Sequence, residues 1–468
     1  MEGTGGAAMP PHRSISFWYS QIDPPPRRRA PLEGSRDADV CIVGAGFTGL
    51  WTAYALLEVD PSLEVVVLES EVVGFGASGR NGGWAEGRLA GDRDHWAARG
   101  GRAGALALER AAQATVDEIG KVVAAEGIDC DFHKGGTLTV ARTPLQLEKV
   151  RDEVDDDRAW GLGPEDSVLL DGPATMQRVA VQGAVGARYS PHCARVQPAK
   201  LAAGLGEVVE RLGATVHEGT RVTELAPHRA VTAAGEVRAK VVVRATEAYT
   251  SSLAGQRRVM LPITSTVIAT DVLGPDVWAE LRWDRAETML DGARRFVYIQ
   301  RTGDGRIVLG GAGAGRPYRF GSPTDAEGPP SGDAVRAIRG RLVDLFPVLA
   351  DVPVAGAWHG VLGAPRQWAP AVGLDRATGL AWAGGYVGEG VAAANLAGRT
   401  LADLVLDRDT ELTRLPWVGG LGRPWPPEPL RFVGVRGVNA MMELADRLEL
   451  RSDQTSLVGR VAHRISGR

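Results

Sequence analysis

The sequence has little of what marks several classes of protein. Only 3 of its 468 residues are cysteine, and Cys41, Cys130 and Cys193 show neither a disulfide framework nor a metal-ligand spacing, which favours a reducing cytoplasm. The net charge of −4 provides no strong field for nucleic acid or an anionic membrane. No apolar run approaches the length of a membrane span, and residues 1–10 lack the apolar core of a signal peptide. We therefore expect a soluble globular protein with room for two domains.

Glycine, in contrast, is abundant, with 61 residues. An apolar run ends at Gly44, and two more glycines follow with G-x-G-x-x-G spacing in the segment Gly44-Ala45-Gly46-Phe47-Thr48-Gly49. Apolar residues then recur with helical spacing, and strand, glycine turn and helix are the context in which this motif binds a dinucleotide. Gly44 would make the tight turn, Gly46 would admit a pyrophosphate, and Gly49 would let helix and strand pack closely.

An acid, Glu69, follows the second predicted strand, residues 63–68. It lies about 20 residues past the glycines, where the ribose hydroxyls of a dinucleotide need an acceptor. The alternative is a strand cap that faces solvent. Because strand, turn, helix, strand and acid all occur in order, we favour nucleotide binding.

Two further glycine loops follow. The segment Ala77-Ser78-Gly79-Arg80-Asn81-Gly82-Gly83 is too rich in glycine for a helix or an ordinary strand. We expect it to lie along a cofactor, with hydrogen bonds from Ser78, Arg80 and Asn81, rather than to be a flexible surface loop. The segment Gly384-Gly385-Tyr386-Val387-Gly388-Glu389-Gly390 again joins a strand to a helix, which implies a second anion- or carbonyl-binding helix start.

The remaining pattern predicts alternating helices and strands. Predicted helices are 104–126, 199–212, 333–346, 391–406 and 432–450, and predicted strands are 131–140, 215–225, 241–246, 259–270 and 379–383, with a hairpin of 295–301 and 306–310. Residues 151–158 are expected to be loop and 356–373 an extended connection. In an irregular N-terminal arm, Phe17-Trp18-Tyr19 is expected to be a hydrophobic anchor and Arg27-Arg28-Arg29 to be solvated.

With three glycine loops, the sequence resembles the FAD-dependent oxidoreductases of the D-amino acid oxidase, glycine oxidase and sarcosine oxidase superfamily, and most of all its gamma-glutamylputrescine oxidoreductase-like branch. The matching segments are the three loops, Arg195-Val196-Gln197-Pro198 before a helix, and Asn395-Leu396-Ala397-Gly398-Arg399 after the third loop. They extend over nearly the whole chain.

The resemblance implies an α/β (α+β overall) fold. A Rossmann-type FAD-binding domain with a βαβ unit would be interrupted by an inserted substrate domain with a mixed, largely antiparallel sheet. The implied division is an N-terminal arm (1–36), FAD-binding segments (37–110, 191–256 and 355–410), substrate-domain segments (111–190 and 257–354) and a C-terminal extension (411–468).

The resemblance also implies a FAD site. The first loop and Glu69 would hold the ADP half, the second loop would lie against the pyrophosphate and flavin ring, and the third would meet the flavin C2 carbonyl. Val222 would bind the adenine through its backbone. The implied cofactor-binding residues are Gly44, Ala45, Gly46, Phe47, Thr48, Gly49, Glu69, Ser78, Gly79, Arg80, Asn81, Gly82, Gly83, Val222, Thr246, Gly385, Gly388, Glu389, Gly390 and Val391. No cysteine or histidine matches a covalent flavin attachment, so FAD would be bound non-covalently; no metal is expected.

The implied reaction is hydride transfer from the C–H beside an amine nitrogen to flavin N5, which gives an imine that water hydrolyses to a carbonyl compound. The flavin carries this chemistry, so no catalytic residue is identified. The isolated histidines His133, His192, His217 and His359 are expected to be structural. Candidate pocket residues are Trp84, Phe296, Tyr298, Arg366, Trp368 and Glu389, of which Glu389 either contacts a substrate ammonium or points into solvent.

Several alternatives stay open at this stage. An amino acid substrate would need an arginine for its carboxylate, and Arg295, Arg319 and Arg366 are all candidates. Oxygen or another molecule would accept the electrons, and the oligomeric state is undetermined. An NAD-dependent dehydrogenase or a FAD-binding protein without turnover would also begin with the first motif.

Overall fold

The computed structural model describes residues 14–293, 295–311, 318–321 and 329–452, with the side chains of 446–452 left out. The strands are β1 (Arg36–Val43), β2 (Val65–Leu68), β3 (Trp84–Glu86), β4 (Thr137–Ala141), β5 (Val168–Asp171), β6 (Gly186–Ser190), β7 (Cys193–Arg195), β8 (Thr215–His217), β9 (Val222–Ala226), β10 (Arg229–Thr232), β11 (Glu236–Arg244), β12 (Leu261–Thr270), β13 (Thr288–Asp291), β14 (Val297–Arg301), β15 (Ile307–Gly311), β16 (Val354–Ala364), β17 (Ala371–Asp375) and β18 (Leu380–Gly384). The helices are α1 (Phe17–Ser20), α2 (Phe47–Val59), α3 (Arg93–Ala125), α4 (Pro144–Trp160), α5 (Gly172–Arg178), α6 (Pro198–Arg211), α7 (Pro275–Leu281), α8 (Gly332–Leu345), α9 (Gly390–Val405) and α10 (Leu430–Ser452).

The first sheet has the order β17-β18-β11-β1-β2-β8. Strands β18, β11, β1, β2 and β8 pair in parallel, with antiparallel β17 at one edge. Helices α2, α6 and α9 cover one face of this sheet. The middle strands are therefore buried, which agrees with their apolar side chains. This is the predicted Rossmann-type unit. The carboxyl ends of its parallel strands lie at one edge of the sheet, which brings the first and third glycine loops together.

The second sheet has the order β16-β12-β15-β14-β13-β4-β6-β5. Only the pair β13–β4 among its named ladders is parallel, and the others are antiparallel. Its own core contains Leu138, Trp283, Ile299 and Phe346. The prediction of a mixed, largely antiparallel sheet is confirmed, and so is the hairpin, now β14–β15.

The expected loop at 151–158 is wrong, because these residues lie in α4. The helix begins with the Thr143 side chain accepting from the N–H of Gln146, and it ends at Gly161 in the left-handed conformation. Val150 and Val154 are buried, one turn apart. The helix was not predicted because its apolar stripe is narrow and the charged residues on its solvent-exposed faces dominate the sequence pattern.

The extended connection predicted at 356–373 is also wrong in part. Residues 354–364 form β16, which pairs with β12 along its length, so the proposed division at 354/355 falls inside a strand of the second sheet. The division at 110/111 falls inside α3, whose buried residues join the core of the first sheet. The predicted strand 215–225 is two strands, β8 and β9.

The N-terminal arm is anchored as predicted. Trp18 is 2% exposed and Tyr19 1%, and the Trp18 indole N–H donates to the Asn81 carbonyl at 2.8 Å. Solvation of the arginine run is wrong for Arg29, which is buried and pairs with Glu210 and Glu218. Residues 1–13 of the arm and 453–468 of the C-terminal extension lie outside the described residues. Within the described residues, no helix is long and apolar enough to cross a membrane.

Candidate active site

One large cavity, 1590 Å³ in volume, is lined by both sheets and by α10. Ligand pockets are usually about 300–1,000 Å³, so this one has room for a dinucleotide and a second molecule. We call the part formed by the first glycine loop, Glu69 and residues 220–222 the nucleotide end. The part formed by Trp84, Glu86, Tyr298, Trp368 and Glu389 is the substrate end.

The nucleotide end is shaped by backbone. Gly44 has φ +106°, and a Cβ there would lie 2.6 Å from the Ala245 carbonyl oxygen. A Cβ on Gly49 would lie 1.9 Å from the Gly44 carbonyl oxygen, so α2 packs on its turn only without a side chain. Gly46, the N-cap residue of α2, has no side chain to cap the helix, although the Phe47 N–H donates to Ser78. The turn at Gly46, Phe47 and Thr48 lines the cavity, so the positive end of the helix dipole offers a site for phosphate.

Glu69 lies at the end of β2 and is 9% exposed, so it does not face solvent as a strand cap. Its carboxylate accepts from the Ala45 N–H at 2.8 Å and from the Glu71 N–H at 3.0 Å. Burial raises the pKa of Glu69 to about 7, and these two N–H groups oppose the rise. A buried carboxyl group at the cavity wall is suited to accept hydrogen bonds from ribose hydroxyls.

The second glycine loop uses its side chains mainly to fix its own backbone. The Asn81 amide donates to the Ala77 and Ser78 carbonyls and accepts from the Gly83 N–H. Arg80 donates to the Phe75 carbonyl at 2.7 Å and lies 4.5 Å over the Phe75 ring. The Ser78 hydroxyl accepts from the Phe47 N–H at 2.8 Å, so it joins this loop to the start of α2.

The third glycine loop positions the start of α9. The Gly385 N–H donates to Glu247 at 2.8 Å, and Glu247 also accepts from the Gly363 N–H. Burial raises the pKa of Glu247 to about 7, and the N–H groups that it accepts from oppose the rise. Glu247 was not predicted from the sequence, because it contacts the loop only after the chain has folded.

Aromatic side chains form the substrate end. Trp84 and Tyr298 meet edge to face with ring centroids 6.2 Å apart, and the Tyr298 hydroxyl lies 3.1 Å from the Ser265 hydroxyl. The buried Trp84 indole N–H has no hydrogen-bond partner among the described residues. Phe296 is 40% exposed, while Val297 and Ile299 between and beyond these rings are buried in the core, as strand alternation predicts.

The candidate arginines are not equivalent. Arg295 and Arg366 line the cavity, whereas Arg319 does not. Arg295 also pairs with Glu443 of α10 at 3.6 Å. The apolar and polar residues of α10 that line the cavity were not predicted as site residues: Leu430, Arg431, Gly434, Val435, Arg436, Val438, Asn439, Ala440, Met442 and Glu443.

Glu389 lies inside the cavity, beside Glu86 of β3, rather than in solvent. Burial raises the pKa of Glu389 to about 8, the charge of Glu86 adds to the rise, and Arg88 opposes it. Glu86 and Arg88 were missed by the sequence reasoning because they follow the second glycine loop without a motif of their own.

Most of the predicted site residues line one cavity, but some stand behind it. The lining includes Gly44, Gly46, Phe47, Thr48, Glu69, Ser78, Arg80, Asn81, Gly82, Trp84, Val222, Thr246, Phe296, Tyr298, Arg366, Trp368, Gly388, Glu389, Gly390 and Val391. Five predicted cofactor residues, Ala45, Gly49, Gly79, Gly83 and Gly385, are not in the lining. They support it from behind: Ala45 binds Glu69, and a Cβ on Gly83 would collide with Gln300 at 1.9 Å.

The loops, the buried acid and the two-sheet fold define a class, the FAD-dependent oxidoreductases. The chain belongs to the family described as FAD dependent oxidoreductase (DAO), which it matches over residues 39–404. It is 31% identical over 401 residues to "Gamma-glutamylputrescine oxidoreductase" of Escherichia coli (strain K12), covering 83% of this chain and 90% of that protein. It is 29% identical over 392 residues to "Probable oxidoreductase OrdL" of Haemophilus influenzae, covering 82% and 86%.

A solved structure with the same fold is glycine oxidase from Geobacillus kaustophilus. Its TM-score is 0.67 at 21% identity, over 80% of this chain and 96% of that chain. Since that protein is almost fully covered, part of this chain has no counterpart in it.

Proposed function

We propose that this FAD-dependent oxidoreductase oxidises the C–N bond of an amine or amino acid, giving an imine that hydrolyses to a carbonyl compound. The observation that carries the proposal is the single cavity, which connects the dinucleotide motif to a wall of aromatic and ionisable side chains. The name of the Escherichia coli relative, an oxidoreductase of gamma-glutamylputrescine, supports an amine.

The residues at the nucleotide end suit FAD. The first glycine loop leaves space for a pyrophosphate at the start of α2, and Glu69 offers a carboxylate to the ribose. The buried Tyr249 hydroxyl, also in the lining, has no hydrogen-bond partner among the described residues. We infer that residues 78–83 lie along the pyrophosphate and ring, and that the Val222 backbone binds the adenine.

FAD supplies a ring that accepts a hydride from the carbon beside the amine nitrogen. The chain supplies position and charge. We infer that the N–H groups at Gly388–Val391 and the dipole of α9 stabilise negative charge on the ring. Trp84, Phe296, Tyr298, Arg366 and Trp368 exclude water and orient the substrate, and α10 closes this end.

The residue types that line the cavity support non-covalent attachment of FAD. Among the described residues that line the cavity there is no cysteine and no histidine, and the three cysteines are buried elsewhere. The cytoplasmic location is proposed from the scattered cysteines of the sequence.

The test is an anaerobic screen of the FAD-loaded protein with primary, secondary and N-methylated amines and with amino acids. We expect an amine to bleach the visible flavin absorption. Bound FAD that none of these compounds reduces would point to a protein without turnover. A protein that binds no FAD but reduces NAD would be a dehydrogenase of the other class.

The electron acceptor is tested on the same reduced protein. Rapid recovery of the flavin spectrum on mixing with air would identify an oxidase. Recovery only with an added dye or quinone would identify a dehydrogenase.

A further inference from the structure

The outer face of α10 is apolar and exposed. Leu430, Val433 and Leu444 are 66%, 64% and 48% exposed. The helical period places these three side chains on one face, over a length of about 21 Å. Gly437 and Ala440 lie between them on the same face and are also exposed. The face therefore presents a continuous uncharged stripe to solvent.

The opposite face of α10 covers the cavity. Val435, Val438 and Met442 line the cavity, and Arg431 and Ala445 are buried. A surface helix normally has one apolar face, which packs on the body of the protein. Because α10 already packs on the body through this inner face, its outer apolar face is left for another surface.

A neighbouring segment enlarges the exposed apolar surface. Phe320 is 63% exposed, and its ring centroid lies 6.1 Å from that of Phe432 in α10. Among the described residues, eight large apolar side chains are exposed, and four of them lie on α10 or against it. We call this surface the outer patch; its residues are Phe320, Leu430, Val433, Gly437, Ala440 and Leu444.

Exposed arginines surround the first half of α10. The Arg431 side chain donates to the Arg257 carbonyl at 3.1 Å, and the Trp425 N–H donates to the Arg258 carbonyl at 2.8 Å, so residues 257 and 258 lie beside the helix start. The exposed arginines of this region are Arg257, Arg258, Arg423 and Arg436. None of their side chains forms an ion pair with another residue that the structure describes.

Two acids of the same region are already paired within the chain. Glu428 accepts from Arg431 at 3.0 Å, and Glu443 pairs with Arg295 at 3.6 Å. Residues 430–442 of α10 contain two arginines and no acid. Although the whole chain has a net charge of −4, the outer patch therefore has a positive rim around the start of the helix.

We propose that the outer patch binds peripherally to the surface of an anionic lipid bilayer. Its apolar side chains enter the boundary between headgroups and acyl chains, as those of an interfacial helix do. The arginines contact the anionic headgroups, which are abundant on the cytoplasmic leaflet. Trp425 and Leu430 also line the cavity, so the substrate end of the cavity lies next to the bound bilayer.

A second copy of the chain is the competing occupant of the outer patch. A two-fold axis would bring the same patch against itself, and the arginines of one rim would then face those of the other. Like charges across an interface oppose association. Since Glu428 and Glu443 are engaged within the chain, charge favours an anionic surface over a second copy.

The test is co-sedimentation of the full chain with vesicles. One set is made of phosphatidylcholine alone and the other of an equal mixture of phosphatidylcholine and phosphatidylglycerol. We expect at least about tenfold tighter binding to the mixture, because each arginine near an anionic surface contributes about fivefold. Added salt should weaken this binding by screening the charges. Equal binding to the two sets, or binding to neither, would overturn the proposal.

An apolar substitution locates the contact. Val433→Glu should weaken binding to the mixed vesicles by at least about tenfold, because a charge replaces an apolar side chain at the bilayer boundary. Val272→Glu is the matched control, since Val272 is 55% exposed. It follows the end of β12, about 30 Å along the strand from the end near Arg258. Val272→Glu should bind as the wild type does, and equal losses in the two variants would contradict the assignment.

A charge substitution tests the rim. Arg258→Gln should weaken binding to the mixed vesicles by about fivefold and should leave binding to phosphatidylcholine unchanged. Arg282→Gln is the control, because Arg282 is an exposed arginine at the end of α7, and its binding should change less than about twofold. An equal effect of the two substitutions would mean that net charge, rather than the outer patch, governs binding.

Tm and sedimentation velocity without vesicles are measured for every protein. If Val433→Glu does not fold, Leu444→Gln replaces it, since Leu444 is half exposed. A wild-type dimer that Val433→Glu converts to a monomer, together with no vesicle binding, would assign the outer patch to a second copy and overturn the proposal. Vesicle binding requires no turnover, so failure of the amine screen leaves this inference unaffected.

Discussion

The nucleotide end and the substrate end of the cavity are built in different ways. The nucleotide end is formed largely by backbone, and most of its parts follow one another closely between Val43 and Gly82, with residues 220–222 added from a distant segment. At the substrate end, side chains from β3, β14, the start of α9 and α10 meet only through the fold. The comparison teaches that the cofactor site is encoded locally, because a dinucleotide needs a fixed turn and helix start, whereas the substrate site depends on distant segments that are free to vary.

The largest expected effect is at the nucleotide end. Gly49→Ala would place a Cβ 1.9 Å from a backbone oxygen of the glycine turn, which neither strand nor helix can relieve without moving. We expect loss of FAD binding by at least about 100-fold. FAD content after purification and the shift of Tm on adding FAD measure it.

The control is Gly340→Ala in α8, where a Cβ would meet nothing within 4 Å. The Gly340→Ala variant should bind FAD normally, and its free energy of unfolding should rise by up to about 1 kcal/mol. If Gly49→Ala binds FAD normally, the claim that backbone geometry at the nucleotide end determines FAD binding is contradicted.

A second prediction concerns charge at Glu69. Glu69→Gln removes a charged acceptor that contributes on the order of 1.5–3 kcal/mol, so FAD should bind about 10- to 100-fold more weakly. Because the raised pKa of Glu69 is about 7 in the free protein, ribose hydroxyls favour its ionised form, and wild-type affinity should rise as the pH increases through 7.

Glu69→Gln should remove that part of the pH dependence. Fluorescence titration of FAD between pH 6 and pH 8.5, roughly one unit to either side of the Glu69 pKa, measures both effects. Glu64→Gln is the control, since Glu64 is exposed, immediately precedes the same strand and lies outside the cavity lining. Equal losses in the two variants would mean that Glu69 has no special role.

These two predictions show what could be read from the sequence. The first loop, the acid after β2 and both sheets were predicted because each follows from local spacing or resemblance. Glu247, Glu86 and Arg88 were not, since none of them belongs to a motif and each reaches the site only through the fold. Helix α4 was missed because its apolar stripe is only two buried valines wide. Strand β16 was missed because its glycines and the prolines after it, Pro365 and Pro370, resembled a connection.

At the substrate end, Tyr298→Phe should act on turnover and leave FAD binding unchanged. The ring still packs against Trp84, but the hydroxyl next to Ser265 is lost, which costs about 0.5–1.5 kcal/mol. We expect kcat/KM for the amine to fall about 3- to 10-fold. Steady-state kinetics and FAD titration together separate the two ends.

Tyr189→Phe is the matched control, because Tyr189 lies in the second sheet outside the cavity lining. A loss of FAD affinity in Tyr298→Phe as large as in Glu69→Gln would show that the two ends are not separate.

The smallest effect is expected on α10. Glu443→Gln removes an ion pair with Arg295 whose partners are 52% and 35% exposed, and such pairs contribute about 0–1 kcal/mol. KM should rise by up to about fivefold, and added salt should reduce the difference between variant and wild type. A change in FAD content without a change in KM would contradict the assignment of α10 to the substrate end of the cavity.

The central claim is that one cavity holds FAD without a covalent bond. Acid precipitation of the purified protein tests it directly: all of the yellow colour should pass into the supernatant as intact FAD, one molecule for each chain, and the precipitate should be colourless. Flavin that stays with the precipitated chain, or a colourless protein that gains no flavin spectrum when FAD is added, would contradict it.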